Sequence, residues 1–587
     1  MKHLNKYIVV SVVLMIISAF FSLLFTNNYF NRIRLSYYEP VENALIFDRI
    51  NSFINVMTGK LSTSTSLPTY RISVDEGELD KLFSNLPNSG DQEVDAKIQL
   101  PGFKDKLSAT LRLRGDSHWH WNYPKKSWRI SVNDKTVASY KINLVNSRFR
   151  SHVLFGLEYD LVSKAGVLGP RHNFVSLYIN GKYQGVYDDI EQIDGDFLAR
   201  RGFDSGALFD EEFDGTKYDV KVDEILGVYS SIILWPYKGP KKSPTSNDLK
   251  QLQKLINLAL LSKVDSNTFI EIEKIVDVDK ILKFVALMNL LNSAHVNNFA
   301  NGKVFLNPIS NKFEPVAWDY IGHFQSNLVD GQVSVTFNRL FQQILRNPKW
   351  MAQKNKNIIE MMNGFASKDQ IISYIENSAD LIEHDIFFDP LKDYVDFTYQ
   401  HYTPGLQYGF WWPHRVLSFS GWKTSINFLK KWIELRADFV KRTLASVDYS
   451  AYLLDKNENL KILTVDVRGE AGMNLELPLD KYRVYRDLNF DGQLSGSDVE
   501  LLDSQIDMIY PGISLLNPET NVPEFRLSAQ RYQYLLFARS RDDQSLLSKI
   551  KFSSLITDEA FDLQIKIINS LIELPETPYT NSLHPWK

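Results

Sequence analysis

Between Leu111 and Ile130 the chain reads LRLRGDSHWHWNYPKKSWRI, a stretch that places phosphate-seeking groups close together. Gly115-Asp116-Ser117 offers a tight turn with backbone N–H groups and a hydroxyl, and Lys125-Lys126 adds two positive charges at the entrance of the next strand. That combination suits phosphate oxygens. It is equally the composition of a hairpin with an aromatic loop and a solvated lysine pair, and the spacing alone does not decide between them. Further along, Asp188, Asp189, Glu191 and Asp194 follow a strand pattern. Four carboxylates there suit a cation or a lysine partner, although a solvated acidic turn is the commoner outcome. A polar block, Asn292 to Leu306, carries His295, Asn297 and Asn298 and leads through an Asn-Pro turn to Phe313–Tyr320, with Asp319 near the end of a strand pattern.

The elements that must position these groups follow from periodicity. Leu111 and Leu113 alternate with Arg112 and Arg114, a half-buried strand, and Ser127–Val132 resumes the pattern. Strands are also expected near Val94–Leu100 and Lys141–Val145, and a strand with a short helix over Tyr70–Leu86. Phe174–Ile179 and Tyr183–Tyr187 flank Asn180-Gly181, the dipeptide of a type I′ hairpin. Helical spacing occupies Ser151–Ala165, then Leu249–Leu261 and Ile270–Leu291, and dominates from Phe337 to Leu444. From about Tyr449 the pattern is β-rich.

Length and composition bound the class. A chain of 587 residues has room for two to four domains, and 44% hydrophobic with 13% aromatic residues builds substantial cores. A net charge of −4 gives no basic field for nucleic acid, and the absence of cysteine excludes disulfides, zinc-thiolate sites and a cysteine nucleophile. Ile8–Phe25 is apolar and uncharged and follows Lys2 and Lys6. Its bulky end, Leu23-Leu24-Phe25, is a poor cleavage context, so it reads as an uncleaved anchor rather than a signal peptide. The lysines favour an inside amino terminus, against Arg32 and Arg34 just beyond the span. The expected localisation is the cell membrane, single-pass, with the bulk of the chain outside the cytoplasm. Leu61–Thr69 is a Ser/Thr/Pro linker.

Five motifs in order resemble the spore-coat-protein-H (CotH) kinase family. They are Arg112–Ser117 with Pro124–Ser127, Ile142–Asn146, Tyr178–Tyr187 through Glu191, Phe313–Asp319, and Trp432 with Arg436. The resemblance implies an α+β, two-lobed atypical protein-kinase-like domain that binds ATP and Mg2+ (or Mn2+) and phosphorylates exported proteins. The expected organisation is a tail at 1–7, an anchor at 8–25 and a stalk and linker at 26–69. The kinase-like domain covers 70–446, with a β-rich lobe at 70–245 and a helical lobe at 246–446, and a small β-rich domain covers 447–587. Carried over by residue, Lys126 (or Lys125) meets the phosphates, Gly115 and Ser117 line the phosphate loop, and Glu191 is the strand-exit acid facing lysine or nucleotide. Asp319 holds the metal. The family's catalytic aspartate has no counterpart, because no Asp or Glu occurs between Lys280 and Phe313. His295, Asn297 and Asn298 occupy that loop, and His295 is the candidate base. The alternatives are an acid arriving from elsewhere, or an inactive envelope scaffold that binds a partner or surface polymer.

Asp487-Leu488-Asn489-Phe490-Asp491-Gly492-Gln493 begins a second kind of site. Asp487, Asn489 and Asp491 stand at positions 1, 3 and 5 of a calcium loop, Gly492 at 6, the Gln493 carbonyl at 7, Ser495 at 9 and Asp498 at 12. Asp at the last position resembles dockerin-type loops and implies one structural Ca2+. The expected function is therefore a membrane-anchored exported kinase acting on a surface or secreted protein acceptor.

Overall fold

The computed structural model describes residues 65–574, apart from internal stretches such as 116–119, 122–124, 212–219, 322–328, 403–409, 487–492 and 540–550. The expected anchor at Ile8–Phe25 lies outside the described residues, as do Ser117 and the calcium-loop positions Asp487, Asn489, Asp491 and Asp498. Among the described residues no helix is long and apolar enough to cross a membrane. The fold is mixed α+β, and the chain divides into two compact units, each assembled from separate segments.

The first unit comprises residues up to 156, 171–192 and 375–428. Its centre is a closed barrel of β1 (Thr69–Val74), β2 (Glu93–Gln99), β3 (Leu107–Leu113), β4 (Trp128–Val132), β5 (Tyr140–Val145), β6 (His172–Ile179) and β7 (Lys182–Glu191), in the order β1-β2-β3-β4-β5-β7-β6. Closure comes from the parallel pairing of β1 with β6, which leaves neither edge strand bare. Alternation decides what faces inward: Leu107, Ala109, Leu111 and Leu113 are buried while Ser108, Thr110 and Arg112 are not. Helix α1 (Glu76–Ser84) adds Leu82 to the same core. At the β6–β7 turn Asn180 and Gly181 have φ of 48° and 76°, the pair of positive values that a type I′ turn requires. The Asn180 side chain also clamps β1, accepting from Val74 N–H at 2.9 Å and donating to Val74 C=O at 2.8 Å.

The second unit comprises 157–170, 193–374 and 429–587. Helix α2 (Leu154–Lys164) begins in the first unit and ends in the second. Then come α3 (Gly195–Ala199) and an antiparallel sheet in the order β10-β9-β8, from β8 (Ala207–Phe209), β9 (Lys303–Leu306) and β10 (Phe313–Val316). Between β8 and β9 run α4 (Ser246–Ala259), α5 (Ser266–Ile275) and α6 (Val278–Leu290). The single helix expected over Ile270–Leu291 is two. Asp277 ends the first by donating its N–H to Phe313 C=O at 2.9 Å, and starts the second by accepting from Lys280 N–H at 3.2 Å. The side-chain cap satisfies an otherwise orphaned donor, so an aspartate inside an apolar run becomes a boundary. Helices α7 (Arg339–Leu345), α8 (Pro348–Asn363), α9 (Lys368–Phe388) and α10 (Phe419–Ala445) follow. Beyond them the β-rich tail forms a six-stranded sheet that includes Asp448–Asn457, Leu460–Arg468 and Ile565–Ile568.

The acidic stretch after the hairpin also differs from expectation. β7 runs through Glu191, so three of the four acids lie inside the sheet and are not a solvated turn. Only Asp194 lies beyond it, where it caps α3 by accepting from Asp196 and Phe197 N–H.

Candidate active site

In the first unit the glycine turn and the lysines are held by the neighbouring strand. Gly115 has φ of 101°, and its carbonyl accepts from Trp121 Nε1–H at 3.1 Å. The loop closes where Arg114 N–H donates to Ser127 C=O at 3.0 Å and Ser127 N–H to His120 C=O at 2.6 Å. Asn146, just past β5, fixes both ends of this connection. Its Nδ2 donates to Lys125 C=O at 2.6 Å, its N–H donates to Ser127 Oγ at 3.0 Å, and its Oδ1 accepts from that hydroxyl at 2.6 Å.

The two lysines then separate in role. Lys125 Nζ lies 2.5 Å from Asp389 Oδ2, and neither side chain has any exposed surface. Asp389 also accepts from Val186 N–H at 3.0 Å and Leu391 N–H at 2.8 Å. These extra donors, with the ammonium, supply the buried carboxylate with the hydrogen bonds that burial would otherwise deny it. Gly185, at φ of 100°, is part of the fit, since a Cβ there would collide with the Asp389 carboxylate. Lys126 is half-buried, its Nζ 5.7 Å from the centre of the Phe83 ring.

The acids of β7 are individually engaged. Asp188 Oδ1 lies 2.7 Å from His172 Nε2, and burial raises its pKa against the pull of that histidine. Asp189 accepts from Tyr70 OH at 2.7 Å, and burial pushes it up to about 6. Glu191 accepts from Arg171 N–H at 3.1 Å. His152, buried at φ of 59°, is pushed down to about 4 by burial and by the charge of Lys125.

In the second unit the polar block and the end of β10 form one assembly. Asp319 adopts φ of 43°, unusual for a non-glycine residue and worth a functional explanation. His295 Nδ1 donates to Asp319 C=O at 2.5 Å and lies 3.7 Å from its Oδ2. The next residue is anchored too: Tyr320 N–H donates to Glu158 Oε1 at 2.7 Å, and Ser293 Oγ donates to Tyr320 C=O. Asn297 Oδ1 accepts from Phe299 and Ala300 N–H at 2.8 and 3.1 Å, which shapes the loop itself. Asn298 is buried and accepts from Arg339 N–H at 2.8 Å at the start of α7. Asn301 Nδ2 donates to His295 C=O at 3.2 Å.

Among the described residues there is no group of three or more His, Asp or Glu side chains arranged to hold a metal. Asp319 offers a single, mostly buried carboxylate. That donor number fits Mg2+, which is usually held by one or two carboxylates together with substrate phosphates.

The structure thus brings His295 together with Asp319, and Asn297 and Asn298 into the same loop. Gly115, Lys125, Lys126 and Glu191 belong to the first unit. Sequence reasoning missed Asp389, Glu158 and Glu211. The first two carry no local motif, and only their distant partners distinguish them.

Comparison with known proteins places these residues in a family. The chain is 28% identical to inner spore coat protein H of Bacillus subtilis (strain 168) over 265 residues, which are 44% of this chain and 70% of that protein. The model of the CotH kinase protein family matches residues 111–440, a span that runs from within β3 into α10 and leaves out β1, α1, β2 and the β-rich tail. The Gly115 turn, the Asn146 clamp and the His295–Asp319 assembly are therefore parts of one recognised whole, and the chain belongs to the CotH kinase protein family.

Proposed function

We propose that this chain is a membrane-anchored, exported atypical kinase that transfers the terminal phosphate of ATP to hydroxyl groups of surface or secreted proteins. The observation that carries the reading is the Asp319 assembly. A carboxylate just beyond β10 is held in left-handed backbone by His295 on one side and by the Glu158–Tyr320 bond on the other. In a member of the CotH kinase protein family, that preorganised carboxylate is the Mg2+ (or Mn2+) ligand. When bound, the metal neutralises charge on the phosphates. Phosphoryl transfer depends mainly on such positioning and electrostatics. Lys126, rather than Lys125, is the phosphate ligand, because Asp389 already holds the Lys125 charge. Gly115 and Ser117 line the phosphate loop, and Glu191 is a supporting acid. A single Ca2+ on Asp487, Asn489, Asp491, Gln493 and Asp498 stabilises the tail.

Titration of the full-length protein with magnesium-ATP by calorimetry tests this. Lys126→Ala and Asp319→Ala should each weaken binding by about 1.5–3 kcal/mol. Unchanged affinity in both variants sinks the nucleotide site. The absence of Asp and Glu between Lys280 and Phe313 favours one second reading, a catalytically silent envelope scaffold. Phosphate incorporation into a casein acceptor separates the two.

A further inference from the structure

The loop that lacks a carboxylate in sequence has one in space. Glu211 follows β8, about ninety residues earlier in the chain, and its side chain is only 7% exposed. The backbone N–H of Asn301 donates to it, and Asn301 Nδ2 also binds the carbonyl of His295. Glu211 is thus one residue removed from the candidate base of the polar loop. Lys303 faces two acids at once, in contact with Asp210 and 3.8 Å from Glu211 Oε2. Its Nζ also lies 5.6 Å from the ring centre of Trp318, the residue before Asp319. One ammonium cannot fully balance two carboxylates, and the nearer contact goes to Asp210. Glu211 Oε2 is buried and makes no hydrogen bond to any described residue. An acceptor without a donor in such surroundings is destabilising, and a ligand donor would relieve it.

We propose that Glu211 is the carboxylate that receives the proton of the acceptor hydroxyl, in place of the aspartate absent from the loop. This rests on the kinase reading given above. In the step, the acceptor oxygen attacks the γ-phosphorus of ATP, and the bond from that phosphorus to the β–γ bridging oxygen breaks. ADP leaves with the bonding electron pair, and the hydroxyl proton passes to Glu211. Two features suit the carboxylate to the task. Its Oε2 has a lone pair not committed to any described donor. Burial, aided by Asp210, also pushes its pKa up to about 7, near the value that general-base catalysis at neutral pH favours. His295 is then a positioning residue, whose ring holds the Asp319 backbone rather than the reacting hydroxyl.

The test uses the full-length protein with magnesium-ATP and a serine-containing acceptor peptide. Glu211→Gln should bind magnesium-ATP as the parent does while its kcat falls about 100-fold or more with little change in the acceptor KM. The infrared carbonyl band of a protonated carboxyl, fading in the parent as pH rises through about 7, should be missing from the variant whatever the turnover. If Glu211→Gln folds poorly, Glu211→Asp, which keeps the charge facing Lys303, carries the same comparison with a smaller loss. A working parent with an equally active Glu211→Gln variant overturns the assignment alone. A parent that binds nucleotide but transfers nothing overturns the kinase reading, and this inference with it.

Discussion

His152 shows how a single side chain couples the barrel to pH. It sits in left-handed backbone beside the buried Lys125–Asp389 pair, and its pKa falls from an ordinary 6.5 to about 4. Below pH 6.5 the unfolded chain takes up a proton there and the folded chain does not, so stability falls as pH drops from about 6.5 toward 4. The shift corresponds to about 3 kcal/mol. Asp189 and Glu211 work in the opposite sense. Their folded pKa values are raised to about 6 and about 7, so what they contribute is lost as pH rises through those values. The clean measurement is therefore a difference. His152→Asn keeps a residue that tolerates positive φ. Urea unfolding of the variant, followed by hydrogen exchange in β4 and β5, should lack the acid-side loss seen in the parent. Equal pH slopes for the two proteins would show that His152 does not titrate on unfolding. The same residues mark where sequence reading stops. Asn180-Gly181 was legible because a type I′ turn is a local requirement. Asp188 and Glu211 were not, because their burial depends on His172 across a hairpin and on Lys303 from another strand.

At the scale of elements, the buried Arg436 shows how α10 is tied to its surroundings. The guanidinium is 1% exposed and donates to Leu290 C=O at 3.0 Å, Asn289 C=O at 2.5 Å, Val329 C=O at 2.8 Å and Gly331 C=O. The first two are the last two carbonyls of α6, where a cation also meets the negative end of the helix dipole. Arg436→Met would leave these acceptors buried and unmatched, and should cost at least about 3 kcal/mol in chemical denaturation. Arg436→Lys should recover part of the loss, since it keeps the charge but not the fork of donors. A methionine variant as stable as the parent would show that the carbonyls find other donors. Most elements were readable from periodicity: the barrel strands, the hairpin, α2, α4 and the β-rich tail. The break between α5 and α6 was hidden because Asp277 interrupts an apolar run without disturbing its spacing. The backbone bond that ends α5 there reaches Phe313, a partner 36 residues away.

The whole molecule extends beyond what the family describes. The family match begins at Leu111, inside β3, yet the barrel closes only through β1. Residues before the match therefore complete its fold. Ahead of them lies the apolar Ile8–Phe25, which predicts that a reporter active only outside the cytoplasm will work when fused after Leu61. Activity from a reporter confined to the cytoplasm would reverse the topology. Beyond the match, the tail should melt at a lower temperature when calcium is chelated, and Asp487→Ala should abolish that difference. Calcium-independent melting of the parent would remove the ion from the account. The division into units could not be read in order along the chain, because each is drawn from three segments.

The Lys125–Asp389 ion pair joins residues 264 positions apart, both in the first unit. During synthesis the barrel strands up to Glu191 leave the ribosome long before Asp389 does. At about 5–20 residues per second, the nascent chain holds Lys125 without its counter-charge for roughly 10–50 s. Over that interval the ammonium has only water to solvate it, and burying it alone would cost several kcal/mol. The barrel interior therefore stays open at that end until Asp389, the residue that follows α9, arrives. A barrel whose buried lysine waits for a residue 264 positions downstream has a built-in delay: its first-made unit cannot close before most of the polypeptide has been synthesised.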